Sequence, residues 1–530
     1  MFIIERSKST AMTETLSSDP IHLFTQFYID TNPERYQEIK FALQKNVENP
    51  HIDSIIMLNE RIYTDEELGI QSNKIKQVNI GSWITYADFL KYDIQGYKIL
   101  ANADIFVDET IQTIKQSDIH KSKKMYSLLR YEYNNGNSYL LYGKENPTDY
   151  RSDSQDTWIV HSNHAFTAKQ LSIFKIKLGT PGCDNKVNYL FTVIGFEIYN
   201  DPLLIKTFHC HANAERNYSQ SKLTLPFMFI IPANITSIYP LNPDTVTNEM
   251  INTYSFTNCN TQLYNYITNK TTPYIIPRIA GIENNFVTTH NYQDLQQLCG
   301  KMKKNAGIQF ESKDSVDLYK IWYTNAFDDC EVYAGWEPWG NVYKYIKKSH
   351  DIITNTYKKQ TISALAFDIF HYIQPKPWTH ALANKRILII SAFIESIKRQ
   401  PSNVYPVDLF PGCTFVYLKP PQTNAMNKSR DWFIEFDQFC EEIKNIKDEF
   451  DVALCSCGGY GNPVCSYIFS LGKSAIYVGG VLQMYFGIYG KRWLTERKEI
   501  MQLYMTPDWK RPSDAEKPLQ YNTIESGCYW

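Results

Sequence analysis

No apolar run in this 530-residue chain approaches the roughly 20 residues needed to span a bilayer. The opening MFIIERSKSTAM begins with a few apolar residues but lacks the hydrophobic stretch of a secretory signal. Net charge is nearly absent at −2, so no face carries the broad positive field that nucleic acid requires, and nucleic acid is excluded as the expected partner. The 11 cysteines form no CxxC pair and no zinc spacing. Cys455 and Cys457 stand one residue apart in an apolar run, which reads as a buried strand. An odd cysteine count without a signal points to a reducing compartment. The N-x-S/T matches at Asn217, Asn234 and Asn269 then carry no meaning, and the expectation is a soluble, cytoplasmic protein. There is no internal repeat and no low-complexity tract.

What is present is a globular composition, 43% hydrophobic and 21% charged, in a chain long enough for two to four domains. The 38 Tyr and 28 Phe suit clefts for sugars and bases, but core filling comes first. Residues 1–19 read as a flexible tail. Apolar runs at Ile21–Tyr28, Ile52–Asn59, Ile75–Ile80 and Tyr97–Phe106 alternate with helical patterns over Asn32–Asn49 and from Thr85. Met125–Tyr133 and Thr157–Val160 add strands, Val187–Gly195 is helix-like, and Ile205–Phe208 is a short strand before a polar segment at His209–Tyr218. This alternation predicts a mostly parallel sheet covered on both faces. Periodicity is lost over 225–295, where Pro226, Pro232, Pro240, Pro243, Pro273 and Pro277 punctuate the chain. A second alternation follows, with RILIISAF at 386–393, TFVYL at 414–418, VALCSC at 452–457 and SAIYV at 474–478. Helical stretches such as Trp432–Phe450 separate these runs, a doubly wound α/β pattern. The expected fold class is therefore α/β, with one domain over 20–240, an irregular connecting segment over 241–295 and a second domain over 296–530.

Leu100-Ala101-Asn102-Ala103-Asp104 puts a carboxylate where an apolar strand ends, which is where open parallel sheets bind ligands. An Asp there can hold a divalent cation against a diphosphate leaving group, or simply begin a turn. As an exposed strand-end group, Asp104 is expected to be removable at little cost in stability. Two later segments add candidates. Leu178-Gly179-Thr180-Pro181-Gly182-Cys183-Asp184 presents an acid before a helix, whose N-terminal dipole favours the carboxylate form. That acid suits a general base, or a helix cap. Lys206-Thr207-Phe208-His209-Cys210-His211 offers two histidines two residues apart on a strand, metal ligands or exposed edge histidines.

Residues 20–218 resemble a glycosyltransferase of the GT-A fold. The resemblance is carried by strand-end N-x-D-I-x-F, then Ser154-Gln155-Asp156-Thr157-Trp158-Ile159, then L-G-x-P-G-C-D-N, then I-K-T-x-H-x-H, in that order. It implies a nucleotide-sugar donor (UDP-, GDP- or dTDP-linked), a glycan, glycoprotein or other hydroxyl acceptor, and Mn²⁺ or Mg²⁺. Asp104 would be the retained acid of a DxD-type motif in which Asn102 replaces the first acid, leaving an amide for nucleotide or ribose. His209 or His211 would complete the metal shell, one as ligand and one as structure. Asp184 matches the catalytic base, with Asp156 as second choice and a turn residue as its alternative.

In the carboxyl-terminal half, Cys457-Gly458-Gly459-Tyr460-Gly461 and Gly479-Gly480 each follow a strand, where small residues let backbone amides approach a phosphate. With Asn384-Lys385-Arg386, Gly487-Ile488-Tyr489-Gly490-Lys491-Arg492-Trp493 and the terminal Glu525-Ser526-Gly527-Cys528-Tyr529-Trp530, these resemble a domain family similar to GT-D glycosyltransferases. That implies a second, nucleotide-sugar-binding transferase, with Arg492 on a diphosphate, or a solvated basic turn. Asp329-Cys330-Glu331 has the D-x-E spacing of that type, or belongs with Asp328 to an acidic helix surface. Two rivals stay open: a glycan-binding scaffold without catalysis, and a two-metal hydrolase, which needs more carboxylates than this segment offers.

Overall fold

The computed structural model describes residues 17–141, 150–210, 227–230, 250–336, 341–369, 376–401, 403–425 and 429–530, with the single positions 223, 232, 373 and 427. For 250–258, 341–344 and 525 only the backbone is described. The chain divides into two compact α/β units. One holds the described residues up to Asp184, with 196–210, 230 and 232; the other holds 185–195, 227–229 and the described residues from 250 onward.

The first unit is built on β1 (Ile21–Thr25), β2 (Ser54–Asn59), β3 (Ile75–Asn79), β4 (Tyr97–Ala101), β5 (Ile105–Val107), β6 (Lys124–Leu129), β7 (Tyr131–Asn134), β8 (Asn137–Leu140), β9 (Gln155–His161), β10 (Glu197–Tyr199) and β11 (Thr207–Cys210). Seven of these form a sheet of order β10-β6-β9-β4-β1-β2-β3. All its pairings are parallel except those of β9, which runs antiparallel to both β4 and β6. The central strands are near-continuous apolar runs because both faces are covered: Leu23, Ile55, Met57, Ile99 and Ile159 are fully buried. The helix Pro33–Glu48 starts where Asn32 Oδ1 accepts from the Glu34 amide and Pro33 supplies a preset φ. It lays Ile39, Ala42 and Leu43 into the core.

The apolar run over 97–106 is two strands, not one. A turn at 102–104, closed by Ile105 N–H donating to Asn102 O at 3.1 Å, ends β4. It sends β5 into a second sheet of order β5-β11-β7-β8. Strand β11 extends through His209 and Cys210, two residues past the end expected for it, and the rest of the segment read as polar, 211–218, lies outside the described residues. Helix Cys183–Val193 likewise starts earlier, with Asp184 inside its first turn.

The second unit carries β12 (Phe227–Phe229) paired with β13 (Met250–Asn252), and β15 (Val332–Gly335) paired with β16 (Gln360–Ser363). Its central sheet is all parallel, of order β14-β20-β19-β17-β18, from β14 (Ile275–Ile276), β17 (Arg386–Ser391), β18 (Thr414–Leu418), β19 (Val452–Ser456) and β20 (Ser474–Tyr477). The strand order reverses between β17 and β19. Helices Lys313–Asp329, Trp432–Asn445 and Gly461–Ser470 bury Tyr319, Tyr323, Phe327, Trp432, Phe436, Phe439 and Val464. Residues read as an irregular connector contain helices Thr253–Thr268 and Gly281–Val287, and contribute edge strand β14 to this sheet. The prolines at 273 and 277 bracket a strand too short to show a period. Among the described residues no helix is long and apolar enough to cross a membrane.

Candidate functional site

The antiparallel insertion of β9 decides the site. It brings the amino end of β9 beside the carboxyl end of β4, with Ala101 opposite Thr157. Asn102 and Asp156 consequently meet: the Asn102 amide donates through Nδ2 to Asp156 Oδ1 at 2.6 Å, and its backbone N–H to Asp156 O at 3.3 Å. Among the described residues, Asn102 Oδ1 is buried without a protein partner. In the smaller sheet, β11 runs between β5 and β7 with His209 opposite Ile105 on one side and Glu132 on the other. Asp104 and Glu132 thereby flank the imidazole. Asp184 Oδ2 accepts from the Gln155 amide at 3.4 Å, behind a loop that turns through positive φ at Gly179 and Gly182. Five residues singled out by sequence, spread from 102 to 209, thus gather at one end of the main sheet. His211 lies outside the described residues.

Three further residues bind these together, and no sequence pattern marked them. Arg35, in the first turn of helix Pro33–Glu48, pairs with Asp104 through Nη2 and with Glu38 through Nη1 at 2.8 Å. His209 Nε2 meets Asp104 Oδ2 at 2.9 Å and its Nδ1 meets Glu132 Oε2 at 2.9 Å. Glu132 Oε1 accepts from Arg130 Nε at 2.9 Å, and Arg130 reaches Asp156 through Nη1. The result is an alternating chain of charge: Glu38, Arg35, Asp104, His209, Glu132, Arg130, Asp156. Asp104 is only 4% exposed, and His209 and Arg130 are buried too. Tyr28, half-buried beside Arg35, sits 5.2 Å from the Trp83 ring.

The electrostatics follow from the geometry. Burial opposes a charged imidazole, but Asp104 and Glu132 on its two nitrogens outweigh it and lift His209 to about 9. Burial would raise the two acids, yet His209 with Arg35 holds Asp104 far below the carboxylate range, and His209 with Arg130 lowers Glu132 to about 2.

Among the described residues, Asp104 and His209 are engaged by Arg35, Glu132 and one another, and do not stand open to the divalent ion that the GT-A resemblance implies. Both nitrogens of His209 are taken, Nε2 by Asp104 and Nδ1 by Glu132, each at 2.9 Å. Asp104 Oδ2 is taken by both Arg35 and His209. Among the described residues no group of three or more His, Cys, Asp and Glu is arranged to hold a metal ion.

In the second unit, the glycines expected to cradle phosphate lie against the chain itself. A Cβ on Gly458 would stand 2.9 Å from Ala306 O, and one on Gly459 2.4 Å from Ile308 Cγ1. On Gly461 it would meet the Tyr477 ring at 2.2 Å, on Gly479 Arg278 Nη1 at 2.2 Å, and on Gly480 the Tyr529 ring at 2.3 Å. At each of the five the chain opposes a side chain, and Gly458 and Gly479 also hold positive φ. Arg492 faces the Tyr529 ring, 5.1 Å from its centroid. Asp329 and Glu331 are exposed at the amino side of β15, where Asp329 accepts from Ser466 Oγ at 3.4 Å and Glu331 pairs with Lys270. They form an acidic surface, away from the strands' carboxyl ends.

No family model matches the chain, and no curated protein does. Among solved structures, a selenomethionine-substituted domain of unknown function 1792 (DUF1792) is similar over 43% of this chain and 84% of that one, at 12% identity and a TM-score of 0.23.

Proposed function

We propose that the first unit is a glycosyltransferase that moves a sugar from a UDP-, GDP- or dTDP-linked donor to a hydroxyl of a glycan or glycoprotein. One observation carries the reading: Asn102, Asp104, Asp156, Asp184 and His209 converge at one sheet end. Asp184 is the proposed base. It takes the proton as the acceptor oxygen bonds to the anomeric carbon and the bond from that carbon to the diphosphate breaks. Asp156, spent on Arg130 and Asn102, positions rather than deprotonates. Asn102 Oδ1, a buried acceptor, suits a ribose hydroxyl or base amino group of the donor. Mn²⁺ or Mg²⁺ does not enter the step as written, because Asp104 and His209 do not stand open to one. For the second unit, glycines packed closely against its own chain favour a non-catalytic, scaffold or glycan-binding role over a second transferase.

The test is nucleotide release from UDP-, GDP- and dTDP-sugars by the whole chain. Asp184→Asn should keep nucleotide binding and the melting temperature while transfer falls by roughly 10²–10⁴-fold. Transfer at the parental rate would move the base to another residue. No release from any donor class would sink the transferase reading.

A further inference from the structure

We infer that nucleotide-diphosphate binding in the first unit needs no divalent cation: Arg35 occupies the place beside Asp104 that the GT-A resemblance gives to a metal. This rests on the donor reading above. Asp104 Oδ2 accepts from the Arg35 guanidinium and stands 2.9 Å from His209 Nε2, so a cation approaching that oxygen meets a fixed positive group first. Arg35 keeps 25% of its side-chain surface in solvent, whereas Asp104 keeps 6%, so the group a ligand reaches is the guanidinium. A guanidinium is also the side chain whose planar fork of donors matches phosphate oxygens. Half-buried Tyr28 lies beside it against Trp83, an aromatic surface within reach of a nucleotide held there.

Asp104 and His209 are then positioning residues. Asp104 fixes the Arg35 fork from one side, as Glu38 does from the other. His209 passes the constraint through Glu132 and Arg130 to Asp156, and so to the Asn102 amide. The chain joins a charged group from a helix start to an amide at a strand end, two groups that share no contact of their own among those described.

Three measurements on the full chain decide this. First, Mn²⁺ alone is titrated into the wild type and Asp104→Asn, with free ion read by its paramagnetic resonance. The two should bind equally; a site present in the wild type and absent from the variant overturns the inference. Second, UDP, GDP and dTDP binding is compared in EDTA and in Mn²⁺ using only the wild type, which keeps the test valid if Asp104→Asn fails to fold. Affinities should agree within about twofold; binding that vanishes in EDTA overturns the inference. Third, Arg35→Met should weaken the tightest of these nucleotides by about tenfold or more while the matching nucleoside binds as before. Equal losses for nucleotide and nucleoside would remove Arg35 from the diphosphate. If no nucleotide binds under either condition, the donor reading falls and the Arg35 assignment with it, while the Mn²⁺ titration still decides whether Asp104 holds a metal.

Discussion

A carboxylate standing in an open cleft costs little to remove, but Asp104 stands 4% exposed between two cations. Asp104→Ala strands a buried imidazolium and one arm of Arg35 without counter-charge. The expected loss is about 3–5 kcal/mol, seen as a lower urea midpoint at unchanged slope. Adding Arg35→Met should return part of it, because the second change removes a charge the first left unpaired; strictly additive losses would show that the two do not act as a pair. The pH dependence has a definite sign. The folded value for His209, about 9, lies above its unfolded value, so its contribution is complete below about pH 6.5 and is lost as pH rises through 9. Asp104 and Glu132 are depressed, so theirs is complete above about pH 4.5 and lost as pH falls. The alkaline loss is on the order of 3 kcal/mol. Between pH 6 and 9.5 the wild type should therefore lose more of its denaturation midpoint than His209→Gln; parallel curves would refute the assignment. Residues at strand ends can be found in a sequence because a carboxylate after an apolar run is conspicuous. Arg35, Arg130 and Glu132 cannot, because an ion pair spanning 69 or 77 positions exists only once register has set it. Arg35 with Glu38 looks like an ordinary solvated helix pair until Asp104 is beside it.

At the scale of elements, β1, β2, β17, β19 and β20 are legible because strands buried on both faces are near-continuous apolar runs. The break between β4 and β5 is not, because both halves are equally buried and only the turn at 102–104 separates two sheets. Nor is the role of the strand-end glycines. A sequence shows that small residues are needed there but not what approaches them, and here it is the chain's own Tyr477, Arg278 and Tyr529. Gly461 gives the cleanest test, because its φ of −54° is open to any residue and the nearest atoms a methyl group would meet belong to the Tyr477 ring. Gly461→Ala should cost about 1–3 kcal/mol through overpacking. Trimming the ring in Gly461→Ala/Tyr477→Leu should make the pair less destabilised than the sum of its singles. Additivity would mean that something other than the ring forbids the methyl.

At the scale of the whole chain, helix Cys183–Val193 belongs to both halves of the account. Its first turn carries Asp184, while 185–195 is part of the second unit. Within that unit Lys186 pairs with Glu499 at 2.8 Å, with the lysine side chain 2% exposed and the glutamate 15%. The Tyr504 hydroxyl donates to Val193 O at 3.1 Å. A boundary drawn at residue 241 from loss of periodicity therefore cuts this unit away from a helix it contains. Residues 241–530 expressed alone would lose the buried Val187, Tyr189, Leu190 and Phe191 of this helix along with the Lys186–Glu499 pair, at about 3–5 kcal/mol or more. For a domain of this size that lowers the melting temperature by roughly 6–20 °C. A peptide spanning 183–195, added in excess, should raise it again with the logarithm of its concentration, and a peptide carrying Lys186→Met should raise it less. The peptide arm separates loss of this helix from loss of anything else removed with residues 1–240. A fragment that melts where the parent's matching transition does, and ignores the peptide, would show that 241–530 is complete without the helix.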